Sequence, residues 1–204
     1  MSTPPKTVLI ASEEEAEAIR ERVRSADPAG LGPNREIAEM KHVPGLAALL
    51  SDPRVSGPIY DLPRPITPES VTRWVAERQA ERLAGEGVLV VTLDAAGEVS
   101  GYSHIAVWPE RSSAEIAGAI RADLQGQGQG GSGMQKSFAW IFETLGVRLM
   151  CLTAALDNVR SQKGIDAAGF RRMGEREVVR RDGTTRNSVY WELTREEWEK
   201  LHRL

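Results

Sequence analysis

Apolar positions along this chain recur with two periods, and the switches between them lay out its elements. Val71, Trp74 and Val75 follow helical spacing toward Leu83, with Thr67 or Ser70 placed to cap that helix. Strand character takes over in Gly87–Leu93 and Glu98–Trp108, joined by Asp94-Ala-Ala-Gly97 into a hairpin. Pro109 breaks the second strand and Ser113–Ile120 reads as a third. Further on come a strand over Arg148–Ala154, a short helix from Asn158 to Ala168, and a hairpin of Phe170–Arg181 with Thr185–Leu193 turning at Asp182-Gly183. Thr194-Arg-Glu-Glu197 is a capping box that opens a terminal helix.

Toward the front, Thr7–Ala11 is a short apolar run of strand type. Ser12 then caps a helix from Glu13 to about Ser25, whose leading glutamates complement the helix dipole. Asp27–Asn34 has loop composition. Val43–Leu50 suggests a second helix, ended by Ser51-Asp52-Pro53, and the proline-laden stretch 57–68 admits no regular element. The sum is an α+β arrangement: a mixed, mostly antiparallel sheet flanked by helices.

One stretch organises the rest. Gln125-Gly-Gln-Gly-Gln-Gly-Gly-Ser-Gly133 follows the third strand and opens into an amphipathic helix, Met134–Leu145. So few side chains leave the backbone N–H groups free to converge on an anion at the positive end of that helix, and a phosphate or pyrophosphate is the expected occupant. Gly126-x-Gly128-x-x-Gly131 also fits a dinucleotide pattern. That fold, however, wants the turn after its first strand and an acid about 20 positions on, and here the nearest strand-end acid, Asp157, stands too far along. A nucleoside-triphosphate loop would need a closing Gly-Lys-Ser/Thr, which is missing.

Composition narrows the classes. A chain of 204 residues suffices for one domain with a real core. Its net charge of −3 gives no electrostatic reason for nucleic-acid binding. The single Cys151, inside the apolar run 149–152, reads as a buried inert thiol. With no long apolar span and no signal-like N-terminus, a cytoplasmic protein without membrane contact is expected.

The glycine stretch, as Gln125-x-x-Gly128-x-Gly130, resembles the coenzyme A pyrophosphate motif of the GNAT acetyltransferases. The likeness extends to Glu115-Ile116 before it, Phe142-Glu143-x-Leu145-Gly146 closing the helix, and Asp157-Asn158-x-x-Ser161 with Ala168-Gly169-Phe170 beyond. These spacings are similar to the RimJ/RimL-type branch, whose characterised members acetylate protein N-termini. The resemblance implies a GNAT fold over 35–204 behind an N-terminal extension, 1–34, that covers the site or mediates assembly, including a possible homodimer. It implies acetyl-coenzyme A as donor, bound by Ile120, Gln125, Gly126, Gln127, Gly128, Gln129, Gly130, Gly131 and, through the pantetheine arm, Asn158. It further places Tyr60, Asp61 and Trp74 among acceptor contacts, although Trp74 also reads as sheet packing.

Acetyl transfer to an amine needs a neutral amine and a way to stabilise the leaving thiolate. An α-amine with pKa near 7.7–8.0 costs about 1 kcal/mol to deprotonate at pH 7, whereas a lysine costs roughly 4.6. The resemblance makes Glu115 the candidate base and Ser161 the candidate acid toward the thiolate. Surface pairing of Glu115 with Arg121 and helix capping by Ser161 are the structural alternatives. His104, lacking a second ligand at metal spacing, is read as an acceptor contact or a packed residue, and no metal is expected. Arg171, Arg172, Arg176, Arg180, Arg181 and Arg186 are read as solvated, or as touching the coenzyme's 3′-phosphate or an acidic acceptor. Small Gly118 and Ala119 leave room beside the pantetheine channel. The acceptor is therefore a protein N-terminus or a small-molecule amine. A non-catalytic acyl-coenzyme A binding module and a transferase acting on aminoacyl-tRNA are the competing readings.

Overall fold

The computed structural model describes residues 3–125 and 130–202, with backbone alone for 130–132. Its framework is a seven-stranded sheet in the order β1-β2-β3-β4-β5-β7-β6. The strands are β1 (Arg35–Ile37), β2 (Gly87–Leu93), β3 (Val99–Trp108), β4 (Ser113–Ile120), β5 (Leu149–Ala155), β6 (Arg171–Val179) and β7 (Thr185–Thr194). Neighbours are antiparallel throughout except β4 and β5, which run parallel. The expected α+β architecture is thus realised.

Helix starts follow the capping residues. The Ser12 side chain accepts from Glu15 N at the head of α1 (Glu13–Ser25). After α2 (Val43–Ser51) and the short α3 (Pro53–Ser56), Thr67 and Ser70 form a reciprocal capping box on α4 (Pro68–Ala84). Gly85 ends α4 at φ +79°, with Arg20 packed so closely that a Cβ would lie 2.5 Å from it. Three helices complete the chain: α5 (Gly130–Trp140), which widens into a π-turn over Ile141–Leu145, α6 (Val159–Ala167) and α7 (Arg195–His202).

The two sheet faces carry different cores. On one, Ile105, Val107, Met150, Leu152 and Trp191 meet Ile19 and Val23 of α1, Phe138 and Phe142 of the α5 segment, and Trp198 of α7. The helix ahead of Arg35 therefore packs into the main core. On the other face, Leu89, Val91 and Tyr102 pack under Leu46 and Leu50 of α2 and Val71, Trp74 and Val75 of α4.

Two expectations are corrected. Thr7–Ala11 forms no strand. The segment 3–10 instead lies irregular, with a bend at Lys6 and Thr7, against β7, tied through side chains: Lys6 N donates to Tyr190 Oη (3.0 Å), and Thr7 N to Glu192 Oε1 (3.0 Å). It thereby covers Glu192, which is 1 % exposed. Burial opposes ionisation of that carboxyl, but the Thr7 and Tyr190 hydrogen bonds outweigh it and hold its pKa below the usual carboxylate value. The loop helix also begins earlier than Met134, so Gly130 and Gly131 lie in the first turn of α5.

Trp74 is completely buried, edge-on to Tyr102 with ring centroids 5.5 Å apart. It packs the core and offers no surface to an acceptor. Trp74→Ala should cost about 3–5 kcal/mol of unfolding free energy, read by urea denaturation followed by circular dichroism, with Trp74→Phe losing clearly less.

Candidate active site

Parallel pairing of β4 with β5 lasts three residues, Ser113 to Glu115 against Leu149 to Cys151. Beyond that register β4 stays with β3 and β5 with β7, so the sheet splits between them. Glu115 stands where the split opens.

Its carboxylate is 4 % exposed and held from two sides. Tyr60 Oη donates to Oε2 at 3.0 Å, reaching in from the loop before α4, and Thr153 Oγ1 donates to Oε1 at 3.2 Å from β5. Hydroxyl donors on both oxygens fix the carboxylate's orientation. Arg121 lies elsewhere, paired with Asp94 (3.1 Å) and Asp123 (2.8 Å), so the surface pairing with Glu115 does not form. Tyr60, expected to touch the acceptor, is 5 % exposed and holds the candidate base instead. Sequence spacing gave no sign of Thr153, because only the β4–β5 register brings it to Glu115.

On the other lip of the split, Asn158 caps α6, its Oδ1 accepting from Ser161 N at 3.2 Å. The asparagine oxygen is therefore engaged locally, and Ser161 sits in the first turn with its hydroxyl uninvolved in that cap. Gln125 donates from Nε2 to Ile120 O (3.0 Å) and accepts at Oε1 from Arg160 Nη2 (3.0 Å). Arg160 went unnoticed in the sequence; it puts a guanidinium beside the start of the glycine loop. Gly126, Gln127, Gly128 and Gln129 lie outside the described residues, while Gly130 begins α5 directly after them. A pyrophosphate fits these surroundings: a helix of 11 residues starts there, with Arg160 and Gln125 alongside. Gly118 has another explanation than channel width, since a Cβ there would lie 2.5 Å from the Tyr102 carbonyl oxygen of β3.

A cleft of about 560 Å³ adjoins this region, lined on one side by Gly57 and Pro58, on another by residues 155–158, and on a third by Arg180, Arg186 and Asn187 of the last hairpin.

Beneath the Tyr60 loop lies a buried charged cluster. Asp61 (3 % exposed) and His104 (2 % exposed), both expected at the acceptor, face each other instead. His104 Nδ1 lies 3.3 Å from Asp61 Oδ2, and Nε2 lies 3.1 Å from Glu81 Oε2 and 3.3 Å from Arg78 Nη1. Arg78 in turn pairs with Glu81 at 3.0 Å. Burial alone would lower the His104 pKa, and Arg78 works the same way, but the hydrogen bonds to Asp61 and Glu81 raise it. Burial would raise the Asp61 pKa, and the hydrogen bond and charge of His104 lower it. The contact ties the loop that carries Tyr60 to β3.

Comparison with known proteins decides what kind of site this is. Residues 35–171 match the model of the acetyltransferase (GNAT) domain. The chain belongs to the GNAT acetyltransferase family. It is thus an acetyl-coenzyme A-dependent N-acetyltransferase. Solved structures similar to this GNAT chain include Mycobacterium smegmatis RimJ in complex with a coenzyme A disulfide, at 19 % identity, TM-score 0.66, covering 80 % of this chain and 82 % of that one. Another is the ribosomal-protein-S5-alanine acetyltransferase of Vibrio fischeri, at 14 % identity and TM-score 0.67, covering 80 % and 93 %. A third is the Salmonella typhimurium acetyl transferase that modifies the N-terminal serine of ribosomal protein L7/L12, at 16 % identity and TM-score 0.67, covering 80 % and 96 %. Identities this low establish the shared fold. A search of curated proteins found no match. Among the described residues no helix is long and apolar enough to cross a membrane.

The His104 cluster makes a signed prediction. A raised folded pKa gives stability that is full below the unfolded value of about 6.5 and lost as pH rises through the folded value. Asp61, with a lowered pKa, contributes above about 3.9 and loses its share as pH falls through its own folded value. His104→Gln should therefore destabilise the protein more at about pH 6 than at about pH 9, measured by urea unfolding at both.

Proposed function

We propose that this GNAT enzyme acetylates a protein α-amine by direct attack, with Glu115 as base and Ser161 as acid. One observation carries this reading: the Glu115 carboxylate is buried where β4 and β5 part, and its oxygens are oriented by Tyr60 and Thr153. Glu115 takes the proton from the amine, directly or through one water, and the modest cost of deprotonating an α-amine suits a lone carboxylate. Bound acetyl-coenzyme A supplies the activated thioester carbonyl. The residues proposed to hold it are Ile120, Gln125 to Gly131 and Asn158, with Arg160 added on the strength of its contact with Gln125. Ser161, on the lip opposite Glu115, offers its hydroxyl to the departing thiolate.

The RimJ-like and L7/L12-modifying structural neighbours favour a protein N-terminus over a small amine as acceptor. Residues 1–34 are proposed as an extension of a catalytic domain spanning 35–204, acting in structure through α1 and the strap over Glu192. A cytoplasmic location accords with such an acceptor.

Coenzyme release with α-amine peptides should fall about 100-fold or more in Glu115→Gln and about tenfold in Ser161→Ala. Tyr60→Phe should lower kcat with little change in the acetyl-coenzyme A KM, since it touches the base. Full turnover in both Glu115→Gln and Ser161→Ala would remove the residue assignments.

A further inference from the structure

The large cleft carries a charge pattern that the transfer chemistry does not use. Arg180 and Arg186 both line it, from opposite sides of the hairpin turn between β6 and β7. Elsewhere on the same hairpin Arg181 pairs with Glu77 at 2.7 Å, Arg172 with Asp166 at 2.6 Å, and Arg176 lies over the Tyr190 ring at 4.1 Å. Arg180 and Arg186 have no carboxylate within ion-pair distance among the described residues. Arg186 donates to Ser188 Oγ (3.1 Å) and to Pro58 O, which leaves guanidinium donors over. Arg180 contacts Thr184 Oγ1 only at 3.4 Å, and its Nε is buried without a partner.

Half-buried guanidinia facing one cleft are costly unless an anion joins them. The strain shows in Arg186, whose pKa is lowered, first by burial and next by Arg180. Asp157 also lines the cleft, and Asp61 and Asp182 act on Arg186 and Arg180 from farther off, but none of these carboxylates comes within ion-pair distance of either guanidinium. Position matters as much as charge. The Arg186 guanidinium lies 5.7 Å from the centre of the Tyr60 ring, and the hydroxyl of that ring holds Glu115. Arg186 therefore stands on the acceptor-loop side, about one tyrosine side chain away from the Glu115 carboxylate, and Arg180 lines the same cleft.

We propose that Arg180 and Arg186 form an anion subsite that selects acceptors bearing an acidic side chain a residue or two beyond the reacting amine, an acidic protein N-terminus. The spacing carries the choice of a peptide: an α-carboxylate on the same carbon as the amine falls short of the arginines, whereas an extended chain advances about 3.3 Å per residue and brings the second or third side chain to them. Bidentate pairing with a planar guanidinium suits a carboxylate. This subsite rests on the proposed acceptor class but not on the proposed base and acid.

The test uses the full chain loaded with coenzyme A and matched peptides beginning Ser-Asp-Glu or Ser-Lys-Lys, with β-alanine as a small anionic amine. Peptide binding is followed by calorimetry and acetyl transfer by coenzyme release from acetyl-coenzyme A. The acidic peptide should bind at least about tenfold tighter than the basic one. Arg180→Gln with Arg186→Gln should bring that ratio close to one, and Arg180→Lys with Arg186→Lys should keep part of it. Equal binding of both peptides by the unmodified protein would overturn the proposal, as would a ratio untouched by the double glutamine change. A preference for β-alanine over the acidic peptide would contradict the peptide assignment. If the glutamine changes instead weaken coenzyme A but not 3′-dephospho-coenzyme A, the arginines serve the coenzyme and the subsite is refuted. Acidic-peptide binding without acetyl transfer would preserve the subsite and count against the proposed function alone.

Discussion

Three residue pairs of parallel strand hold β4 against β5, and the geometry of this protein follows from where that pairing stops. Parallel neighbours need a long crossover, which here runs through the glycine stretch and α5. After Glu115 and Cys151 each strand is satisfied by its outer neighbour alone, so two inner edges face a gap rather than each other. Unpaired inner edges are a liability in most sheets. Here they flank the position of the buried carboxylate and lead, through Ile120 and Gln125 on one side and Asn158 on the other, to groups suited to a diphosphate and its arm. The wedge thus places the buried Glu115 carboxylate at its apex.

The second face of the sheet is built around charge as much as packing. Where α2 and α4 cover it, Trp74 and Tyr102 make an ordinary core, but the next layer holds Asp61, His104 and Arg78 nearly dry, with the half-buried Glu81 at its edge. Taking such groups from water is expensive, and mutual pairing offsets the cost only when the geometry is complete. The network links the loop before α4 to β3, and through Tyr60 it reaches Glu115. Farther along, the chain's own N-terminal segment seals Glu192 and Tyr190. Residues ahead of the GNAT match are therefore part of the working structure.

Much of this was legible in the residues. Ser12, Thr67 and the Thr194-Glu197 box marked helix starts, and Asp182-Gly183 marked the last turn, because capping and turn chemistry are local. The helix after the glycine stretch was legible for the same reason, since spacing within one helix is a local matter. Long-range partnerships were not. The period of Thr7–Ala11 suits a strand, yet a side-chain hydrogen-bonded strap formed there, since β7 already pairs with β5 and β6. Asp61 was read as an acceptor contact, and His104 as an acceptor contact or a packed residue, because nothing in a linear sequence shows that they face each other. Thr153 and Arg160 became visible only once register and helix direction placed them beside Glu115 and Gln125.

The account turns on the wedge between β4 and β5 being where the donor lies. Amide chemical shifts followed by nuclear magnetic resonance during titration with acetyl-coenzyme A test this most directly. The expected result is saturable change concentrated at Glu115–Ile120 on one edge and at Asn158–Ser161 on the other, with α2 and the N-terminal strap left quiet. Saturable binding that perturbs neither edge of the wedge, or no binding at all, would contradict it.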